Sequence, residues 1–278
     1  MSRKSGGLFF FAVTISATLA VPKVGAQAAL TPPAIMQTIC EPVKPGMGPA
    51  HDKNEIKWSR AAEQVKGAAS ALALVANTGP STTCWLTSLD SYAAIGKSNA
   101  AYDGDAAYGK AVAPLIAAEA QYVGDARVAI ARLRTDLSAG TMPSVLTRWV
   151  TEWSEFRIRP GQEALFEAAV KAYAAVGARA GVKMEFRVYE VRQGVPAQAY
   201  WIFSSDASWA AFDQMLANDT KLMGAFNADD QKLFADFFSK AVVSINANIW
   251  TYNSELSILT AEQRATDPFF KRKPAAKP

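Results

Sequence analysis

The charged residues of the second half of the chain stand where they could do chemistry. Glu155, Arg157 and Arg159 alternate with Phe156 and Ile158, and Glu185 and Arg187 alternate with Met184, Phe186 and Val188. Side chains of an extended strand alternate between its faces, so the charged set lies opposite the apolar one. Turned into a closed cavity, Glu155, Arg157 and Arg187 would form a pocket in which an arginine fork could hold an anionic ligand bidentately. Turned to water or to one another, the same residues make an ordinary satisfied polar face.

His51 is the sole histidine and follows Pro45-Gly46 at the expected start of a helix. Imidazole titrates near neutrality, so it could be a general base, a pocket residue, a haem ligand or a metal ligand. The plainer reading is a surface or helix-start histidine, because Phe166 occupies the corresponding place in the second half. A single histidine rules out a multi-histidine zinc site and gives thin support to a histidine-based triad, and no metal ligands are assigned from the sequence. The two cysteines, Cys40 and Cys84, fall on expected neighbouring strands and could be a disulfide or a pair of buried thiols. There is no Gly-rich phosphate loop, nucleophile elbow or Cys-x-x-Cys. The tryptophans at 85, 149, 153, 201 and 209 are expected in the core.

The elements that must position these residues occur twice. Val43-Lys44-Pro45-Gly46 pairs with Ile158-Arg159-Pro160-Gly161, and Cys84-Trp85-Leu86 with Tyr200-Trp201-Ile202. Ser91-Tyr92-Ala93-Ala94 pairs with Ser208-Trp209-Ala210-Ala211, and Thr135-Asp136-Leu137-Ser138 with Ser254-Glu255-Leu256-Ser257. Four collinear matches point to duplication. In each copy a strand closing in Pro-Gly, clearest at Trp149 to Arg159, leads into an amphipathic helix. Leu165, Phe166, Ala169, Val170, Tyr173 and Val176 carry its apolar face in the second copy; Ile56, Trp58, Ala61, Ala62 and Val65 do so less cleanly in the first. Hairpins are expected at 71–76 with 82–88 and at 183–191 with 199–203. Ser91 and Ser208 are placed to cap the next helix. Helical regions are expected over 105–133 and 228–244, and a last strand is best seen at 249–257.

This order, β-α-β-β-α-β, is that of a ferredoxin-like unit, whose sheet needs cover on the face without helices. The fold class is therefore read as α+β: two ferredoxin-like βαββαβ units pairing into an intramolecular pseudo-twofold α/β barrel, with extra helices. The sequence resembles the dimeric α/β-barrel superfamily. More narrowly, it resembles tandem exported bacterial proteins that carry Pro-Gly after the first strand of each unit and end near Asp267-Pro268-Phe269. The resemblance spans roughly 34–270 and implies a fold without implying a chemistry. Superfamily members include cofactor-free monooxygenases, haem-dependent enzymes and stress-response proteins.

The ends set the expected compartment. Arg3 and Lys4, the apolar run Leu8 to Val21 and Ala26-Gln27-Ala28 have the form of a signal peptide over 1–28, too short for a membrane span. Expected boundaries follow: a first unit over 29–140, a second over 141–260, and a C-terminal basic tail over 261–278. The net charge of +4 resides at the ends, in Arg3, Lys4, Lys23, Lys271, Arg272, Lys273 and Lys277. The body is slightly acidic, which argues against a nucleic-acid partner. The expected protein is a periplasmic or secreted monomer without stable membrane insertion. Two functional readings stand: a non-catalytic protein binding a small ligand between its units, with no cofactor, or a small-molecule enzyme of the barrel superfamily. That enzyme would be a cofactor-independent oxygenase or a haem protein using His51.

Overall fold

A computed structural model describes residues 32–141, 150–196, 198–266 and 268–271. The expected signal peptide, Trp149 and the basic residues beyond Lys271 lie outside the described residues. The first unit runs β1 (Ile35–Pro42), α1 (Gly48–Ala62), β2 (Ala71–Ala76), β3 (Thr82–Leu89), α2 (Tyr92–Asp103), α3 (Ala106–Glu119) and β4 (Arg127–Leu133). The second repeats it as β5 (Val150–Ile158), α4 (Glu163–Arg179), β6 (Arg187–Gln193), β7 (Gln198–Asp206), α5 (Ala210–Ala225), α6 (Ala228–Asp236) and β8 (Val242–Ile258). A π-helical turn, Phe237–Ala241, joins α6 to β8. The matched Pro-Gly turns are present in both units. Gly46 and Gly161 have φ of 78° and 84°, a conformation that glycine adopts without the Cβ clash of other residues.

All strand pairs are antiparallel, and the sheet closes on itself in the order β1-β3-β2-β8-β5-β7-β6-β4. Each unit contributes four strands in the order 4-1-3-2, and the units are joined by β2 with β8 and β4 with β6. Closure removes the free edges that an isolated four-stranded sheet would expose. The interior is one apolar cluster built by both units: Met36, Leu74 and Leu86 from the first, and Trp153, Tyr189, Trp201, Phe203, Trp250 and Tyr252 from the second. After β8 the chain forms α7 (Ala261–Thr266) and a 3-10 turn at Pro268–Phe270, and Phe270 is fully buried at one end of this cluster.

Outside the barrel the two units differ. Helix α4 buries Phe166, Ala169, Val170, Tyr173, Val176 and Gly177, a single face at helical spacing. It packs on Phe156, Phe186, Tyr200 and Phe237 in a large apolar layer. The corresponding apolar cluster of the first unit is small, with Ala71, Ala73, Trp85 and Leu256 at its centre.

Several local expectations are corrected. The region 105–133 is not one helix: α3 ends at Glu119, and Arg127–Leu133 is strand β4. Its inward positions are Ala129 and Ala131, and alanine carries little strand propensity, so the run reads as helix. The second helical region likewise ends at Ala241, not at Ser244. Ser91 caps α2 by accepting from the Ala94 amide, whereas α5 begins at Ala210 with no side-chain cap, so Ser208 does not play that part.

Candidate metal centre

Helix α1 has Pro49 in its first turn, where a missing amide hydrogen costs nothing. Its buried residues are His51, Asn54, Glu55, Ser59 and Ala62, at the spacing of one helical face. Most of the face turned towards the sheet is thus polar, and an apolar-periodicity search finds little on it. Opposite lie Glu41, from the end of β1, and Glu119, from the last turn of α3. Ser59 ties the helix to the sheet by donating to the Glu255 carbonyl at 2.9 Å.

His51 is 0% exposed, Glu55 6% and Glu119 8%. The His51 Nε2 atom lies 3.5 Å from Glu41 Oε2 and 3.7 Å from Glu119 Oε1. One ligand atom from each of Glu41, His51, Glu55 and Glu119 falls within 4.8 Å of the other three. Glu41 Oε2, His51 Nε2, Glu55 Oε1 and Glu119 Oε1 are buried and have no hydrogen-bond partner. Other atoms of the group are held from behind. Asp52 Oδ1 faces His51 Nδ1 at 3.3 Å, and the Asn54 amide donates to Glu119 Oε2 and to the Leu115 carbonyl at 3.1 Å. These contacts orient the imidazole and one carboxylate, leaving the inward atoms open, as the outer partners of metal ligands do.

Buried carboxylates this close together cannot all stay ionised without a compensating cation. With no ion present the group must hold protons instead. Burial drives the Glu55 carboxyl far above the carboxylate range, and the neighbouring Glu119 and Glu41 charges add to this. For His51, burial acts to lower the pKa. The contact with Asp52, the nearby Glu41 carboxylate and the charges of Glu55 and Glu119 outweigh it and raise the imidazole to about 9.

The second unit shows what this layer holds when it serves packing alone. Counted from the matched Pro-Gly turns, Glu41 corresponds to Phe156, His51 to Phe166 and Glu55 to Val170, and Phe237 lies at the matching end of the last helix. The three phenylalanines form one cluster, with ring centroids 5.8 to 6.4 Å apart. An apolar aromatic core in one unit is replaced in the other by three carboxylates and an imidazole. Such an exchange sacrifices about 1.5–3 kcal/mol of burial per large side chain and puts charge in its place, so it needs a compensating interaction.

Three carboxylate oxygens and one imidazole nitrogen suit a divalent cation of intermediate hardness, such as Mn(II), Fe(II) or Zn(II). Donors about 2.1 Å from an ion stand at most about 4.2 Å apart, so capture requires small side-chain movements. Haem does not fit at His51: the ring is fully buried, and both inward neighbours of Nε2 are carboxylates.

The other sequence candidates lie elsewhere. Glu155 lines the barrel interior, accepts from the Trp201 indole at 2.8 Å and pairs with Arg127 at 3.3 Å. Arg157 follows it on the same face of β5. Arg187, buried on β6, stands opposite Phe203, whereas Arg157 stands opposite Ala199, so the two arginines occupy different levels of the barrel. His51, on the far side of the sheet, joins none of them. Cys40 and Cys84 are directly paired across β1 and β3 and form a disulfide with an S–S distance of 2.10 Å. Glu41, Glu55 and Glu119 escape a sequence search because they come from three elements and only His51 and Glu55 share one.

No protein-family profile matches the sequence, and no curated protein matches it. Among solved structures, an anthrone oxidase-like protein superposes with a TM-score of 0.54 at 10% identity, over 82% of this chain and 96% of that one. The chain has the dimeric α/β-barrel fold. A candidate monooxygenase from Fusobacterium nucleatum matches this barrel with a TM-score of 0.51 at 8% identity, over 78% of this chain and 91% of that one. Chlorite dismutase from Candidatus Nitrospira defluvii superposes on it more loosely, with a TM-score of 0.45 at 10% identity, over 82% of this chain and 95% of that one. At these identities the likeness is one of fold alone.

Proposed function

We propose that this protein is a non-catalytic, exported metal-binding barrel that holds one divalent transition-metal ion on Glu41, His51, Glu55 and Glu119. The observation that carries the reading is the convergence of four buried donor atoms, one from each residue, that lack any other partner. The closure of the site favours holding an ion over turning over a substrate. The Glu41 and Glu119 side chains are only 16% and 11% exposed, and the open recess of the barrel lies on the other side of the sheet. Export rests on the leader-like first 28 residues. A monomer rests on closure of the barrel within one chain. No helix among the described residues is long and apolar enough to cross a membrane.

The test is metal addition to chelator-stripped mature protein, followed by thermal unfolding and elemental analysis. An ion at a hundredfold excess over its Kd contributes about 2.7 kcal/mol. For a chain of this size that is about 5–10 °C in Tm. Retention of about one ion per chain, with that shift, supports the reading; unchanged Tm for manganese, iron and zinc alike overturns it.

A further inference from the structure

The disulfide stands back to back with the candidate metal centre across one sheet. Cys40 and Cys84 belong to the apolar interior of the barrel. Glu41 follows Cys40 on β1 and so turns to the other face, where it meets His51, Glu55 and Glu119. Its direct partner on β3 is Thr83, the neighbour of Cys84. We infer that the Cys40–Cys84 bond is a redox switch for the metal centre: a small thiol opens it from the barrel side, and the opened form holds the ion less tightly. The inference rests on the metal-binding reading given above.

Three observations carry it. The first is access. A recess of about 130 Å³ at the barrel mouth, between the β2–β3 turn and the first half of β8, is lined by both cysteines. At about 10–15 Å³ for each water-sized sphere it takes on the order of ten non-hydrogen atoms, enough for a small thiol and too few for a protein one. The second is position. The Cα atoms of Cys40 and Cys84 are 4.0 Å apart. Directly paired residues of an antiparallel ladder stand about 4.5–5.5 Å apart, so reduction lets β1 and β3 separate by about 0.5–1.5 Å beside Glu41. The third is sensitivity. The four donor atoms lie within 4.8 Å of one another, against about 4.2 Å across a bound ion. Displacing Glu41 adds to the movement that capture requires, and a less preorganised site binds more weakly.

The chemistry is thiol–disulfide exchange. Cys40 is the more exposed partner, at 6% against 1% for Cys84, so the incoming thiolate attacks its sulfur. A mixed disulfide forms as the Cys40–Cys84 bond breaks, and Cys84 leaves as a thiolate that takes a proton from water. A second small thiolate attacks the mixed disulfide and frees Cys40, which is protonated in turn. The protein gains two electrons and two protons, and two small thiols become one small disulfide.

The test compares oxidised mature protein, its reduced form and a Cys40→Ala/Cys84→Ala variant, each stripped by chelator and shown by circular dichroism to be folded. Calorimetric titration uses Mn(II), which prefers oxygen ligands to thiols. Mn(II) should bind the reduced form and the double variant about tenfold more weakly than the oxidised protein. By linkage, saturating Mn(II) should lower the reduction potential of the bond by about 30 mV, the equivalent of tenfold for two electrons. Dithiothreitol should reduce the folded protein without denaturant. Equal or tighter Mn(II) binding by the reduced form and the double variant overturns the switch and leaves the metal reading standing, and reduction that occurs only on unfolding overturns the switch as well. Failure of the oxidised protein to bind manganese, iron or zinc removes the metal reading, and the switch with it.

Discussion

The hydroxyls of Ser138 and Ser257 make the same two hydrogen bonds in the two halves of the barrel. Ser138 donates to the Arg134 carbonyl at 2.8 Å and accepts from the Val188 amide at 3.0 Å. Ser257 donates to the Asn253 carbonyl at 2.7 Å and accepts from the Ala73 amide at 3.0 Å. Ser257 sits at the irregularity in the β2–β8 pairing and Ser138 in the turn that follows β4, and the preceding leucine, Leu137 or Leu256, is buried in both. Ser257 is fully buried and Ser138 is partly exposed. Ser257→Ala should therefore cost about 1–3 kcal/mol and Ser138→Ala about 0.5–1.5 kcal/mol, because water can replace the partner only at the exposed site. Urea unfolding of the two variants gives the comparison, and equal losses would contradict it.

Two substitutions at the metal centre should separate ion binding from packing. Glu55→Gln removes the carboxylate that would bind the ion and keeps the shape. It should leave the metal-free protein as stable or more stable while abolishing the rise in Tm on adding metal. Asp52→Asn, behind the imidazole, should keep the site but weaken metal binding about 10–100-fold. Calorimetric titration with Mn(II) and Zn(II) reads both, and an unaltered affinity in Glu55→Gln would remove that residue from the ligand set.

The metal-free protein should lose stability as the pH rises. His51 moves from an ordinary value of 6.5 to about 9 on folding. A raised folded-state pKa contributes stability that is complete below 6.5 and disappears by about 9. The Glu55 carboxyl is also raised, and this acts in the same direction, since the folded state favours its protonated form. Tm of stripped protein should fall between about pH 6.5 and 9, and saturating metal should flatten that slope because the ion takes the place of the protons. A metal-free Tm that climbs over this interval would show that the group is not compressed as described.

Reduction of the Cys40–Cys84 bond, which spans 44 residues of sequence, should lower stability by about 2–4 kcal/mol through the freed unfolded chain. The strands stay paired on both sides of it, so the fold should persist. Guanidinium unfolding with and without reductant measures the difference, and circular dichroism checks that the sheet remains.

The barrel was legible in the sequence because duplication repeats local signals. The Pro-Gly turns, the two hairpins and the apolar face of α4 each point to the same unit. Strand β4 was not legible, because small inward residues, Ala129 and Ala131, suit a crowded barrel and imitate a helix. The candidate metal centre is hidden for a different reason. Its ligands are scattered from Glu41 to Glu119, and α1 carries few apolar residues on its buried face. Alignment of the copies holds the clue: read alone, the pairing of His51 with Phe166 points to a surface or helix-start histidine, yet the ring is fully buried. Extended to Glu41 with Phe156 and Glu55 with Val170, it marks a core layer in which apolar residues have been exchanged for ligands.

Closure of the barrel within one chain bears on how such an asymmetry could arise. In a symmetric dimer of single units, every substitution appears at two places at once, so a charged group entering the packed layer beneath the helices would weaken both halves together. Once the units share a chain, a change can enter one half alone. The aromatic layer around Phe166 can then carry the folding of the whole, while the layer around His51 accumulates groups that would not pack well by themselves. Fusion makes one half a scaffold and releases the other to change.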